Sequence, residues 1–256
     1  MDNDNKLIQQ QFGANAQSYA TSPTHAQGAS LARLIELTQP ARDWLMLDVS
    51  TGAGHTALTF APHVKGIIAV DLTAEMLEVA GKLARERGVT NIEFRAGDAQ
   101  SLMFENDTFE LVTNRIALHH YADARKAIAE MARVCKSSGI VALVDNIVPP
   151  DKVTAGFVNH FEKMRDPSHS WCYPVVRLGG MFADAGLKVE HTETIRKEIE
   201  FQPWVERMGA NAATQSELRE RLFAATGEAK EFLTPRADGD KVFFSLTEAI
   251  VIGRKE

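Results

Sequence analysis

Cysteine is scarce in this sequence, with only Cys135 and Cys172 among 256 residues. Two cysteines rule out a disulfide framework, and no C-x-x-C pair suggests a zinc or iron–sulfur site. We expect both to be small buried hydrophobic residues. His160 and His169 do not have metal-ligand spacing with other candidates. The sequence therefore predicts no metal site.

The chain also lacks a long apolar run and an excess of positive charge. No stretch approaches the roughly 20 apolar residues that a membrane-spanning helix needs, and the polar residues 1–10 do not resemble a signal peptide. The formal net charge is −6, whereas nucleic-acid enzymes more often carry a basic face. We expect a cytoplasmic protein with a small-molecule substrate, no membrane span and no nucleic-acid partner, and the sequence leaves a homodimer open.

What the sequence does contain is a regular alternation of strand and helix patterns. The predicted strands are 44–49, 66–70, 91–95, 109–114 and 140–145, and the predicted helices between them are 55–62, 73–87 and 123–134. A short helix is also predicted near residues 9–12, and residues 137–139 are predicted to turn into the fifth strand. This spacing predicts an α/β fold with a parallel sheet and helices on both faces. After residue 150 the regular alternation of strand and helix patterns ends. The later predicted elements are helices at 176–185 and 201–227 and strands at 187–195 and 241–253.

The loop after the first predicted strand has the strongest functional signal. An apolar run ends at Asp48, and a glycine-bearing turn follows before a helix begins near His55. An open α/β sheet builds a nucleotide-sized site in this way at the carboxyl end of its first strand. Gly52-x-Gly54-x-x-Ala57 fits the dinucleotide fingerprint, but Asp48 at the mouth of the loop would repel a pyrophosphate. The residues therefore favour S-adenosylmethionine over NAD.

Polar residues also end the next strands. Asp71 ends the second strand, Asp98 and Ala99 follow the third, and Asn114 and Arg115 end the fourth. Because these ends meet at one edge of a parallel sheet, we expect the side chains to converge there. Asp71 is expected to bind both ribose hydroxyls, and Asp98 the adenine amino group. Any one acid could be a solvated turn residue, but three at successive strand ends favour a ligand site.

These motifs resemble those of class I S-adenosylmethionine-dependent methyltransferases. They are most similar to the group that includes the ubiquinone and menaquinone biosynthesis C-methyltransferases, also called methyltransferase type 11. The matching segments are Leu-Asp-Val-Ser-Thr-Gly-Ala-Gly, Val-Asp-Leu-Thr-Ala-Glu-Met-Leu, Gly-Asp-Ala and Arg-Ile-Ala-Leu-His-His. The resemblance covers residues 44–146. A looser match extends to Phe12, Tyr19, His25 and Gly28.

The resemblance implies a Rossmann-like seven-stranded sheet in the order 3-2-1-4-5-7-6, with strand seven antiparallel. We accordingly expect an N-terminal helical lid at 1–40 and a methyltransferase domain at 41–256. Helical cap insertions are expected near 151–175 and 198–240. The cofactor contacts that we assign are Asp48, Ser50, Thr51, Gly52, Gly54, Asp71, Leu72, Met76, Asp98, Ala99, Asn114 and Arg115.

One position departs from the family pattern. The family loop usually begins with glycine where this chain has Ser50. The Cβ of serine excludes backbone angles that only glycine adopts. The Ser50 hydroxyl could also donate a hydrogen bond to the ligand carboxylate.

The candidate catalytic residues are His119, His120 and Tyr19. A base is needed only if the methyl acceptor must lose a proton, and histidine titrates in the useful range. Both histidines could instead serve packing or helix capping. Because adjacent residues point in different directions, we expect at most one to face the acceptor. For Tyr19 and His25, a lid that excludes water is favoured over proton transfer.

The sequence gives fewer indications about the methyl acceptor than about the cofactor. Asp145 ends the fifth strand at the functional edge, although it could be an ordinary turn residue. The aromatic residues outside the sheet pattern are Phe157, Phe161, Trp171, Tyr173, Phe201 and Trp204. Most should form the core of a helical cap, while some should line the acceptor pocket. An aromatic lining indicates a planar or lipophilic acceptor.

The sequence thus predicts an S-adenosylmethionine-dependent methyltransferase that acts on a carbon or oxygen atom of a small molecule. An RNA methyltransferase is one alternative, although residues 114–117 lack the Asn/Asp-Pro-Pro-aromatic run of amino-directed nucleic-acid enzymes. A second alternative is an S-adenosylmethionine-binding protein without transfer activity, which Ser50 keeps open. An NAD-dependent oxidoreductase is the last.

Overall fold

The structure is a computed structural model that describes residues 3–20 and 28–256, so that His25 lies outside the described residues. The strands are β1 (Leu45–Val49), β2 (Gly66–Asp71), β3 (Ile92–Ala96), β4 (Phe109–Arg115), β5 (Cys135–Ile147), β6 (Leu187–Glu200), β7 (Arg236–Asp238) and β8 (Lys241–Lys255). The helices are α1 (Asn3–Ala20), α2 (Ala29–Thr38), α3 (His55–Phe60), α4 (Ala74–Glu86), α5 (Ala124–Val134), α6 (Lys152–Arg165), α7 (Val175–Asp184), α8 (Phe201–Glu206), α9 (Ala212–Ala224) and α10 (Gly227–Leu233).

The strands form one mixed sheet in the order β3-β2-β1-β4-β5-β8-β6, and β7 pairs with β8 off this path. Strands β1 to β5 are parallel, whereas β8 is antiparallel to both β5 and β6. This confirms the predicted order, in which the last long strand lies between strands five and six. The short β7 was not predicted, because its three residues carry no alternating apolar pattern.

The two faces of the sheet bury separate cores. Alternate residues of β1 point to opposite faces, as the strand geometry requires. Leu47 and Val49 pack with residues of α5 and α7, such as Phe182, in the larger core. Met46 packs on the other face with Leu34 of α2. Both faces are covered by helices, as predicted.

A third core lies under the cap, which comprises α6, α8, α9 and α10. Trp204 stacks on Phe161 with ring centroids 5.2 Å apart, and Phe244 of β8 packs edge-on against Trp204 at 4.9 Å. Most of the aromatic residues outside the sheet pattern were expected in the core of the cap, and Phe157, Phe161, Phe201 and Trp204 pack there. The other two lie elsewhere, since Trp171 is 40% exposed and Tyr173 packs against the larger sheet core.

Several element boundaries differ from the sequence prediction. Helix α1 is much longer than the short helix expected near residues 9–12. Strand β5 begins at Cys135 rather than residue 140, because an irregularity in its pairing with β4 absorbs the predicted turn at 137–139. The predicted helix 201–227 is divided into α8 and α9, with Gly209 at a φ of +71° between them.

None of the helices within residues 3–20 and 28–256 is long and apolar enough to cross a membrane. Helix α1 has 18 residues, but its sequence is polar and includes Asp4 and Lys6. The amphipathic helices instead place their apolar faces on the sheet.

Candidate functional site

The loop between β1 and α3 turns sharply because three of its residues have positive φ. These are Ser50 at +53°, Gly52 at +54° and Gly54 at +82°. The two glycines are needed for different reasons. A Cβ on Gly52 would meet no atom within 4 Å, because this residue faces a cavity, whereas a Cβ on Gly54 would lie 3.0 Å from the Cβ of Ala80. Ser50 takes a left-handed conformation that costs a non-glycine residue about 1–2 kcal/mol.

Asp48 lies beneath this loop and not on the cavity wall. Its carboxylate accepts hydrogen bonds from Thr51 Oγ1 at 2.6 Å and Thr113 Oγ1 at 2.7 Å. The side chain is 1% exposed, and this burial raises the pKa of Asp48 to about 6. The expected position at the mouth of the loop is therefore wrong. Thr113, directly opposite Asp48 in the register of β1 with β4, draws the carboxylate inward, where it fixes the loop.

Asp71 joins two loops at the edge of the cavity. Its Oδ2 accepts from the backbone N–H of Gly52 at 2.8 Å, and its Oδ1 accepts from that of Thr73 at 2.9 Å. Burial raises the pKa of Asp71, although these two bonds oppose the shift. A carboxylate has about four acceptor positions, so Asp71 retains capacity for hydroxyl groups of a ligand in the cavity.

Helix α1 lies across the same cavity. Asn5 donates from Nδ2 to Oδ2 of Asp98 at 2.9 Å, and Gln9 donates from Nε2 to the carbonyl oxygen of Leu72 at 2.9 Å. These contacts join α1 to the loops after β2 and β3. Phe12 and Tyr19 extend the wall along the helix.

We call this space, with a volume of about 860 Å³, the first cavity. The predicted site residues on its wall are Tyr19, Ser50, Thr51, Gly52, Asp71, Leu72, Met76, Asp98, Ala99, Arg115 and His120. The predicted site residues not on it are Asp48, Gly54, Asn114 and His119. Sequence reasoning missed the lining residues Asn5, Ile8, Ala53, His55, Thr56, Thr73, Gln100, Ile116, Ala117 and Tyr121.

Tyr121 links Ser50 to Asn114. Asn114 donates from Nδ2 to the Tyr121 hydroxyl at 2.7 Å and also to the carbonyl oxygen of Val49 at 2.9 Å. Because the Tyr121 oxygen accepts from Asn114, its own hydrogen is available to Ser50 Oγ, which lies 2.7 Å away. Ser50 Oγ thus accepts a hydrogen bond within the protein, while its own hydrogen stays available to donate to a ligand carboxylate.

Tyr121→Phe should lower the free energy of unfolding by about 1–3 kcal/mol, because Ser50 and Asn114 each lose a partner in a buried network. Urea unfolding would measure this loss. Tyr173→Phe is the matched control, since no hydrogen bond of the Tyr173 hydroxyl holds the loop. Equal stabilities of the two variants would show that the network does not fix Ser50.

A second cavity of about 580 Å³ adjoins the first. The two cavities share Phe12, Tyr19, Ile116 and His120. The other residues that line the second cavity are His119, Asn146, Glu162, Arg165, Asp166, Lys197, Ile199, Trp204, Arg207 and Leu246. Most of them are polar or charged, so this cavity differs in character from the aromatic pocket that the sequence suggested.

His119 and Asp145 form a buried pair beside the second cavity. His119 Nδ1 lies 2.5 Å from Oδ1 of Asp145, and the His119 backbone N–H donates to Oδ2 at 2.8 Å. Burial lowers the pKa of His119, but the Asp145 carboxylate outweighs it, so that the pKa is raised above its ordinary value. With Nδ1 held by Asp145, Nε2 is the ring nitrogen that can exchange a proton with a ligand.

The rings of His119 and His120 do not point apart, so that prediction is wrong. Residues Leu118–His120 form a short 3₁₀ turn instead of an extended segment, and the two ring centroids are 4.1 Å apart. Both rings line the second cavity. Burial and the charge of His119 lower the pKa of His120 to about 4, which leaves His120 neutral near pH 7.

Tyr19 lines both cavities from α1. Its hydroxyl donates to Met208 Sδ at 3.2 Å, and its carbonyl oxygen lies 2.9 Å from His55 Nε2. Burial raises the pKa of Tyr19 to about 12. The phenol is therefore protonated near neutral pH, and its position fits a covering role better than that of a base.

In the part of the chain that the structure describes, no group of three or more His, Cys, Asp or Glu side chains is arranged to hold a metal ion. His169 lies 5.5 Å from His119 between ring centroids, but its Nε2 hydrogen-bonds with Asn159 Oδ1 at 2.8 Å. Cys135 and Cys172 are buried free thiols.

Comparisons with known proteins identify the family and the fold. A family model described as a methyltransferase domain matches residues 47–143. The chain is 37% identical to the uncharacterized methyltransferase YcgJ of Bacillus subtilis over 95% of this chain and 97% of that protein. The crystal structure of YcgJ superposes with a TM-score of 0.85 over 89% of this chain and 98% of that one, at 36% identity. Demethylmenaquinone methyltransferase of Thermotoga maritima is 30% identical over 50% of this chain and 55% of that protein.

Proposed function

We propose that this chain, which belongs to the class I S-adenosylmethionine-dependent methyltransferases of the methyltransferase type 11 group, methylates a small molecule held in the second cavity. The observation that carries this proposal is the shared wall of the two cavities. Phe12, Tyr19, Ile116 and His120 line both. A methyl donor in the first cavity and an acceptor in the second would therefore be neighbours.

The residues of the first cavity fit S-adenosylmethionine. Gly52 leaves open space where a side chain would project, and Asp71 has acceptor capacity for the ribose hydroxyls. Asp98 and the backbone of Ala99 would hold the adenine, and Thr51 and Gly52 the methionine part. Two carboxylates on this wall suit a ligand with cationic groups better than a diphosphate.

The chemistry supports a carbon or oxygen acceptor that loses a proton. Bound S-adenosylmethionine supplies a methyl group whose C–S bond breaks as the electron pair of the acceptor forms the new bond. His119 Nε2 would take the proton that the acceptor releases, and Asp145 would stabilise the resulting imidazolium. Helix α1 would exclude water through Phe12 and Tyr19.

Release of S-adenosylhomocysteine tests the proposal. The protein is incubated with S-adenosylmethionine and a metabolite extract, and mass spectrometry follows both S-adenosylhomocysteine and any metabolite that gains one CH₂ unit. We expect both products, in equal amounts and only when protein and extract are present together. Binding of S-adenosylmethionine with S-adenosylhomocysteine at background throughout would instead indicate a binding protein without transfer activity.

A further inference from the structure

The second cavity has an arginine without a counter-ion. Arg207 directly follows α8 and is half-buried in the cavity wall. Among the described residues, no carboxylate lies within ion-pair distance of its guanidinium. Burial lowers the pKa of Arg207, and the like charge of Arg165 lowers it further. Two guanidinium groups that line one cavity form a ready site for an anion.

Arg165 is positioned by the cap. Its guanidinium carbon lies 4.6 Å from the centre of the Trp204 ring, and its NH2 lies 3.5 Å from Glu162 Oε2, a long ion pair. Its Nε is buried without a hydrogen-bond partner. Lys197 differs, because it is paired with Glu248. Arg165 and Arg207 are therefore the cations of this cavity whose hydrogen-bonding capacity is incompletely used.

Two buried carboxylates stand near the arginines with unused acceptor atoms. Glu162 is 3% exposed and Asp166 is 1% exposed. Glu162 Oε1 and Asp166 Oδ2 have no hydrogen-bond partner among the described residues, although buried polar atoms are almost always paired. Asp166 uses only Oδ1, which accepts from Ser168. Because Glu162, Arg165 and Asp166 all line the second cavity and none uses its full hydrogen-bonding capacity, the cavity favours a polar ligand.

We propose that the methyl acceptor is a carboxylic acid whose carboxylate binds Arg165 and Arg207, while a hydroxyl or ammonium group of the same molecule donates to Glu162 and Asp166. This inference rests on the proposed function, because it names the acceptor class of the same site. The methyl-accepting atom lies at the other end of the molecule, beside His119 and the wall shared with the first cavity.

Charge decides between a carboxylate and a phosphate. Both anions fit paired guanidinium groups, but a phosphate dianion would place a second negative charge beside Glu162 and Asp166. A lipophilic quinone would leave Arg207 without a counter-ion and would leave Glu162 Oε1 and Asp166 Oδ2 without a hydrogen-bond donor. The cap aromatics do not create a lipophilic pocket either, because Phe161 and Phe201 pack against Trp204 and Phe244 inside the cap.

Fractionation of a metabolite extract tests the acceptor class. The extract is passed over a strong anion exchanger at about pH 11, where amines are neutral and amino acids are also retained. Each fraction is assayed with methyl-labelled S-adenosylmethionine, before and after phosphatase treatment. We expect the methyl-accepting activity in the retained fraction, unchanged by phosphatase. Activity in the flow-through alone, or its loss after phosphatase treatment, would overturn the carboxylate assignment while leaving the methyltransferase function intact. No transfer in any fraction would overturn both.

The variant Arg207→Ala tests whether Arg207 binds the carboxylate of the acceptor. With the retained fraction as acceptor, we expect the apparent KM to rise by roughly 10- to 100-fold, the range for a lost charge-assisted hydrogen bond. The kcat should change much less, and calorimetry should show unchanged S-adenosylmethionine affinity. Arg207→Lys should recover part of the loss, because lysine restores the positive charge but cannot donate the two parallel hydrogen bonds of a guanidinium group. The matched control is Arg219→Ala, at an exposed arginine of α9. A KM equal to that of this control would refute the assignment.

Discussion

His119→Gln should lower kcat by roughly 10²- to 10⁴-fold, the usual contribution of a positioned general base. The effect should fall on kcat because the variant lacks the base that takes the proton. His119 lines the second cavity but not the first, so the dissociation constant of S-adenosylmethionine, measured by calorimetry, should stay unchanged. His63→Gln, at an exposed histidine after α3, is the control. A kcat for His119→Gln within a few-fold of that control would mean that transfer proceeds without a base at this position.

The pH profile should identify the same residue. Because the pKa of His119 is raised by Asp145 and the base must be unprotonated, kcat/KM should fall as the pH drops through a midpoint above 6.5, the ordinary histidine value. In Asp145→Asn the pKa of His119 loses the raising effect of the Asp145 carboxylate, while burial, which lowers it, and the charges of Glu162 and Asp166, which raise it, remain. The acidic limb should then move to lower pH while the maximal rate decreases. A limb that shifts upward or stays in place would assign the profile to another group.

Asp71→Ala should weaken S-adenosylmethionine binding by roughly 10- to 150-fold, or about 1.5–3 kcal/mol, the scale of hydrogen bonds to a charged group. The variant loses the acceptors expected for the ribose hydroxyls, and it also frees the N–H groups of Gly52 and Thr73. Calorimetry measures the affinity, and urea unfolding shows how much of the loss is structural.

Two further variants separate these contributions. Asp71→Asn keeps the shape and one acceptor oxygen, so its affinity should lie between those of the wild type and Asp71→Ala. Asp43→Ala removes an exposed carboxylate outside the cavity and should bind normally. If Asp71→Ala bound S-adenosylmethionine as tightly as Asp43→Ala, the ribose role of Asp71 would be excluded.

The sheet could be predicted because each of its long strands has a local apolar pattern and an adjacent turn. The start of β5 could not, because residues 137–139 have a turn composition, and only the pairing of Cys135 with Phe109 before that irregularity extends the strand. The length of helix α1 was underestimated for a related reason. Its sequence is polar, and its apolar positions, such as Phe12 and Ala16, become meaningful only through contact with Met76 of α4 and its neighbours.

The first cavity was more accessible to sequence reasoning than the second. Ser50, Gly52 and Asp71 belong to short motifs at strand ends, so their positions follow from the topology. The second cavity is lined by α1, the segment after β4, strands β5, β6 and β8, and the cap. These parts are far apart in the sequence. One signal was available, since Arg115 pairs with Val144 in the parallel register of β4 and β5. That register places Asp145 beside the segment that contains His119.

The position of β8 between β5 and β6 has a consequence for synthesis on the ribosome. Strand β6 pairs only with β8, which emerges after the whole cap has been made. Until β8 has been synthesised, both edges of β6 therefore remain unpaired, and unpaired strand edges favour aggregation. Strand β6 carries charged residues at exposed positions, including Lys188, Glu190, Arg196 and Glu198. Such charges oppose pairing with other chains before β8 is available.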